Sequence, residues 1–195
     1  MADELKRRLV HASGSGLVAL YLLAPRFDLG LTWARFQLLM IVLALGAIAL
    51  EVLRLRVGLE WWIYEKLTRE YEADQFAGYG YYMVSMTIAV LVFPEPLALA
   101  GMLMLAIGDP LSGLVSDNTL KRVKHPKTLA TMFLASTALA LPFFPDQPHV
   151  AVAAGIGATI ADGITVQIGD FIVDDNLTIP IYAGILGVLA LSVPL

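Results

Sequence analysis

The chain contains no cysteine, which excludes disulfides and thiolate metal sites and leaves the redox compartment unmarked. Charge is scarce. Only 15% of the 195 residues are charged and 58% are hydrophobic, whereas a soluble domain has roughly 25% charged and about 45–50% apolar residues. With a mean hydropathy of +0.73, this composition implies an integral membrane protein. A net charge of −4 gives no basic footprint for nucleic acid, so the expected partners are membrane lipids and a small molecule. Familiar catalytic signatures are missing as well. No Gly-rich loop ends in Gly-Lys-Ser/Thr, and there is no His-Glu-x-x-His and no Gly-x-Ser-x-Gly. No repeat, low-complexity tract or soluble domain interrupts the chain, so residues 1–195 are expected to form a single integral membrane domain.

What is present is a series of long apolar runs. A transmembrane helix needs about 20 apolar residues, and seven runs qualify, near 9–25, 33–53, 79–93, 97–116, 128–144, 149–169 and 177–194. The expected fold is therefore all-α, a polytopic bundle of about seven spans. Lys6, Arg7 and Arg8 precede the first run as in a signal peptide. That run, however, ends at Ala24-Pro25-Arg26 without a small-x-small cleavage site, so it is read as the first span. Orientation follows from the basic residues. With the N-terminus in the cytoplasm, Lys6, Arg7, Arg8, Arg54, Arg56, Lys66, Arg69, Lys121, Arg122, Lys124 and Lys127 all lie inside, and only Arg26 and Arg35 fall outside. Between the second and third spans, residues 59–78 alternate Trp61, Trp62, Tyr64, Leu67 and Tyr71 with Glu60, Glu65, Lys66, Arg69 and Glu70 at roughly helical spacing. This segment is expected to be a cytoplasmic amphipathic helix on the bilayer surface, or equally a connector packed on the bundle.

That topology gathers the unusual polar residues on one face, at the cytoplasmic ends of the spans. Asp109, in Gly108-Asp109-Pro110-Leu111-Ser112-Gly113, sits where proline breaks the helical ladder and glycine permits close approach. It fits Mg²⁺, which takes one or two carboxylates plus substrate phosphates; the competing reading is a kink capped by the acid. Lys124 and Lys127, with Thr128 opening the fifth span, form a candidate phosphate-binding group, with Lys127 the leading cation. Alone they would read as a positive-inside anchor. Asp162 lies deep in the sixth span and needs a proton, a metal or a basic partner, and Asp170 follows a little over two turns later on nearly the same face. Asp174, Asp175 and Asn176 precede the seventh span. One of them suffices as a helix cap, which leaves an acid over for Mg²⁺ and an amide for a nucleotide. Pro180 is expected in the first turn of that span. Glu51 and Arg54, at i and i+3, read mainly as a structural pair, and His11 as an interfacial or phosphate-touching residue.

These blocks resemble the family of dolichol kinases, phytol kinases and CTP-dependent diacylglycerol kinases over most of the chain. Glu4-x-x-Arg7-Arg8-x-x-His11-x-x-Gly14 is similar to the family's Arg-Lys-x-x-His block, and Glu51-x-x-Arg54 to its Glu-x-x-Arg block. Gly108-Asp109-Pro110-Leu111-Ser112-Gly113-Leu114-Val115 resembles Gly-Asp-x-x-Ala-x-x-Val/Ile, and Ala158-Thr159-Ile160-Ala161-Asp162 resembles Ala-Thr-x-x-Glu with Asp for Glu. Asp174-Asp175-Asn176-Leu177-Thr178-Ile179-Pro180 is the most specific match. One block departs: where the family has Lys-Ser/Thr-x-Glu-Gly-Ser/Thr, this chain reads Lys127-Thr128-Leu129-Ala130-Thr131 and lacks the Glu-Gly pair.

The resemblance implies Mg²⁺-dependent phosphoryl transfer from CTP to the hydroxyl of a membrane lipid: a polyprenol, another isoprenoid alcohol or diacylglycerol. In it Asp109, Asp174 and Asp175 serve the metal, and Asp109, Asp162 and Asp175 the chemistry. Lys124, Lys127, Thr128, Ser112 and Asn176 bind nucleotide and phosphate, with His11, Glu51 and Arg54 in support. Three rival readings stand beside it. A cytidylyltransferase making CDP-lipid would use the same apparatus, although its His-Gly-Gly-x-x-Asp-Arg ending is absent. An ion-coupled carrier would use the acids as a relay, and an inactive family member would act as a lipid-binding scaffold. Small residues over 155–163 leave room for a homodimer contact.

Overall fold

The computed structural model describes residues 2–58, 75–117, 122–168 and 171–193. Its helices, numbered in chain order among these residues, are α1 (Ala2–Ser13), α2 (Ser15–Leu23), α3 (Trp33–Val52), α4 (Gly78–Val92), α5 (Glu95–Leu103), α6 (Asp109–Val115), α7 (Pro126–Ala140), α8 (Pro148–Gly163) and α9 (Asp175–Leu191). The fold is all-helical apart from one small hairpin, β1 (Gln167–Ile168) paired antiparallel with β2 (Phe171–Ile172). Two continuous helical stretches, Trp33–Val57 and Glu95–Val115, are long and apolar enough to cross a membrane by length and composition. The apolar helices α4 and α9 are shorter. Most of the amphipathic segment expected at 59–78, and Asp170, lie outside the described residues.

Prolines set many of the boundaries. Phe93 is extended because it precedes Pro94, and this ends α4. Pro126 and Pro148 open α7 and α8 at the helix start, where a missing N–H costs nothing. Inside the Glu95–Val115 stretch the backbone widens into one π-turn, Met104–Gly108, immediately before Asp109. A second π-turn, Leu53–Val57, follows α3 beside Glu51. Single π-turns within helices often mark functional positions.

Three sequence expectations change. The first span is not one helix, because α1 and α2 break at Gly14. Tyr82 packs so closely there that a Cβ on Gly14 would overlap its hydroxyl. The sixth expected span is helical only to Gly163 rather than near 169, since residues 163–165 pair with 122–124 and β1 follows. Pro180 lies in the second turn of α9, not the first.

The core is built on α8 and α9. Gly157 lets them touch, for a Cβ there would overlap the Tyr182 carbonyl. Gly101 on α5 faces α9, where a Cβ would stand 3.4 Å from the Pro180 backbone, an ordinary contact distance. Phe36, Met40, Met86, Leu97, Met102, Met132 and Ile179 fill the remaining interior. The bundle has two chemically different ends. At one, Tyr21 donates to Glu95 (2.8 Å) and rings of Tyr21, Trp33 and Phe36 cluster. The other end holds His11, Glu51, Asp109, Lys124, Asp162 and Asp175.

Candidate functional site

Three helices each deliver one acid to the same place. Asp109 opens α6 after the π-turn, Asp162 sits one residue before the end of α8, and Asp175 is the first residue of α9. Each offers a carboxylate oxygen within 4.8 Å of the others. They are 53 and 13 residues apart in sequence, and only the close α8–α9 contact and the run of α5–α6 alongside unite them.

Lys124 completes the cluster. Its Nζ lies 2.6 Å from Asp162 Oδ1 and 3.3 Å from Asp175 Oδ2. A short strand-like pairing holds it there: Lys124 N–H donates to Gly163 O (2.9 Å) and Thr165 N–H to Arg122 O (3.1 Å), with Val123 opposite Ile164. The loop that follows α6 is thereby tied to the end of α8. Burial acts to lower the Lys124 pKa, but the facing carboxylates of Asp175, Asp162 and Asp109 outweigh it and hold the ammonium above its ordinary value.

The three acids differ in access. The Asp162 side chain has no solvent-exposed surface, while those of Asp109 and Asp175 remain 22% and 37% exposed. Asp162 is also fully engaged: Ser112 Oγ is 3.0 Å from its Oδ2 and 3.2 Å from Asp109 O, a single hydroxyl hydrogen serving one of them at a time. Ser112, expected to touch phosphate, lies buried beside Asp162. Asp174 takes the capping role, accepting from Asn176 N–H at 2.8 Å, and Asp175 is the acid left over for the cluster. Asn176 Oδ1 and the Thr128 hydroxyl are buried without a hydrogen-bond partner. Lys127, the leading cation by sequence, is exposed in the first turn of α7; Lys124 is the one at the acids.

Glu51 and Arg54 form a separate clamp. Arg54 donates through Nε (2.9 Å) and Nη2 (2.8 Å) to the two Glu51 oxygens, and Nη2 also reaches Gln75 O at 2.5 Å. Buried Glu51 further accepts from Ala77 N–H (2.8 Å) and from the Tyr79 hydroxyl. Each Glu51 oxygen thus accepts two hydrogen bonds, and the clamp fastens the end of α3 to the start of α4.

His11 lies with its Nε2 3.5 Å from Asp109 Oδ2 and 3.0 Å from Leu105 O. Tyr82, which sequence reasoning did not select, donates to His11 O (2.9 Å) and stacks edge-on against its ring at 4.5 Å. Ser85, also unselected, donates to Asn176 O at 2.6 Å. Tyr79 and Tyr82 were visible only as part of an aromatic run, and nothing in the local sequence marks their long-range partners.

The donor set fits a hard divalent cation. Mg²⁺ takes oxygen ligands at about 2.0–2.1 Å, and the three carboxylate oxygens lie within 4.8 Å of one another. No family model matches the chain, and neither does any curated protein or solved structure.

Proposed function

We propose that the protein is a multi-pass integral membrane lipid kinase that transfers a phosphoryl group from CTP to the hydroxyl of an isoprenoid alcohol, of dolichol or polyprenol type, or of diacylglycerol. The observation that carries this reading is the meeting of Asp109, Asp162 and Asp175 beside Lys124 at the end of the bundle that collects basic residues. In this reading about seven apolar segments cross the bilayer, the N-terminus is cytoplasmic by the positive-inside rule, and the site opens on the cytoplasmic face, where nucleotide is available. A lipid hydroxyl reaches it sideways from the membrane.

Asp109 and Asp175, the two acids with open surface, and Asp162 beneath them would hold Mg²⁺. Bound there, Mg²⁺ supplies charge neutralisation for the polyphosphate. The residues themselves do the rest. Lys124 meets developing negative charge and bridges Asp162 and Asp175 through its ammonium. Asp162, enclosed and held by Lys124 and Ser112, orients the cluster and is too buried to take a proton from a lipid. Asp109 or Asp175 accepts the hydroxyl proton as the lipid oxygen bonds to the γ-phosphorus and the bond to the β-phosphate oxygen breaks, releasing CDP. Lys127 and Asn176 line the approach of the nucleotide, with the buried Thr128 hydroxyl beneath them.

The test is a transfer assay on detergent-purified protein with Mg²⁺, γ-labelled CTP or ATP, and a panel of polyprenols, geranylgeraniol, phytol and diacylglycerol. Label in one lipid supports the kinase and names acceptor and donor, and Asp175→Asn should abolish it. Label released as pyrophosphate points to cytidylyl transfer. The absence of any product from folded protein refutes both. Clustering of the acids at one end, rather than along a path across the bundle, argues against a carrier.

A further inference from the structure

The π-turn before Asp109 leaves one backbone carbonyl without a donor. In that turn Asp109 N–H bonds to Met104 O, five residues back. The next donor in this register, to Leu105 O, would come from residue 110, which is proline and has no N–H. An unsatisfied buried carbonyl is costly, and more so in a membrane. His11 Nε2 lies 3.0 Å from Leu105 O. A carbonyl only accepts, so the imidazole carries its hydrogen on Nε2 and donates. The same Nε2–H stands 3.5 Å from Asp109 Oδ2, and Tyr82 holds the histidine from behind through His11 O and the ring.

The arrangement has a parallel on the other side of the site. In α9, Pro180 cannot donate to Asn176 O four residues back, and Ser85 Oγ takes that carbonyl at 2.6 Å. Each helix that presents a more open acid thus has a proline-orphaned carbonyl near that acid, satisfied by a side chain from a different helix.

We propose that His11 is a positioning residue: by donating to the carbonyl that Pro110 leaves open, it locks the π-turn and fixes the Asp109 carboxylate toward Asp162 and Asp175. The metal-holding part of this rests on the function proposed above; the link between His11 and Pro110 does not. Pro110→Ala restores a backbone donor for Leu105 O, so His11 becomes dispensable in that background. This compensation is something a generic packing role for His11 cannot produce.

The experiment compares wild type, His11→Ala, His11→Gln, Pro110→Ala and the double variant His11→Ala/Pro110→Ala, as full chains in detergent. Mn²⁺ binding is followed by electron paramagnetic resonance and thermal unfolding without metal. His11→Ala should weaken Mn²⁺ binding about 10–100-fold, as loss of an outer partner of a metal ligand does. His11→Gln, which keeps an N–H donor, should recover most of it. In the Pro110→Ala background the cost of His11→Ala should shrink to about twofold or less, within additivity error of no effect. Equal costs in both backgrounds, or a Gln variant as damaged as the Ala variant, overturn the proposal. If wild type binds no Mn²⁺, the proposed function fails, and the same cycle read in Tm still decides the His11–Pro110 link: a smaller loss in the Pro110→Ala background supports it and an additive loss refutes it.

Discussion

Lys124→Met isolates the electrostatic heart of the site. The side chain keeps its length and loses the ammonium that lies 2.6 Å from Asp162 and 3.3 Å from Asp175. Breaking a buried pair by removing one partner costs about 3–5 kcal/mol, because the charge left behind is neither solvated nor paired. Asp162 has no exposed surface but Lys124 is 27% exposed, so solvent screening places the loss at the lower end, about 3 kcal/mol. For a chain of this size each kcal/mol moves Tm by about 2–4 °C, giving a fall of about 6–12 °C. The assay is thermal unfolding in detergent across a Mg²⁺ titration. Mg²⁺ should raise the Tm of the variant more than that of wild type, because in the variant no ammonium competes with it for Asp162 and Asp175. At a hundredfold excess over its dissociation constant it would restore about 2.7 kcal/mol, most of the loss. Equal Tm for variant and wild type without Mg²⁺ would show that the ammonium is an exposed ion pair of small worth and would refute the reasoning. The pH dependence has a definite sign. Lys124 has a folded pKa above its unfolded one, so its stabilisation is complete below about pH 10.4 and lost only as pH rises through the folded value. Wild type should show no Lys124-linked decline between pH 7 and 9; a fall in that window that Lys124→Met abolishes contradicts this.

Other perturbations separate the roles of neighbouring residues. Asp174→Ala should cost about 1 kcal/mol as a lost helix cap and leave Mn²⁺ affinity intact in the same resonance measurement; a loss matching that of Asp175→Asn would make Asp174 a ligand. Glu51→Gln breaks the buried clamp and should lower Tm by about 6–20 °C without changing the affinity of surviving folded protein for Mn²⁺, and a selective loss of affinity at unchanged Tm would move the clamp into the site. Gly157→Ala forces a methyl onto the Tyr182 carbonyl, so overpacking of about 1–3 kcal/mol should loosen α8 from α9 and weaken Mn²⁺ binding together with Tm; a neutral result would show that the two helices do not position Asp162 and Asp175 by their contact.

Much of the architecture was legible because it depends on local chemistry. Runs of apolar residues gave the helices to within a few residues, and the structure sets the starts at Pro126 and Pro148 and the end before Pro94, since proline constrains its own backbone and that of its predecessor. The acids stood out because carboxylates in apolar sequence require compensation. The broken first helix was not legible, since Gly14 is tolerable within a helix and only the approach of Tyr82 gives it a purpose. The end of the sixth helix at Gly163 was missed because the apolar residues that follow read alike as helix or strand, and the pairing of residues 163–165 with 122–124 decides for an extended chain.

By itself, then, the sequence determined which residue types were available: a largely helical chain, unusual acids at 109, 162, 170, 174 and 175, and a basic loop between the first two. Tertiary structure decided their division of labour. Lys124 rather than Lys127 meets the acids, Asp174 caps while Asp175 joins the cluster, Ser112 holds Asp162, and His11 and Ser85 take the carbonyls that Pro110 and Pro180 leave open. The reason is distance. Propensity and hydropathy act within a few residues along the chain, whereas each of these pairings except the Asp174 cap spans 38 to 94 residues and exists only where the packing of helices brings the partners within reach.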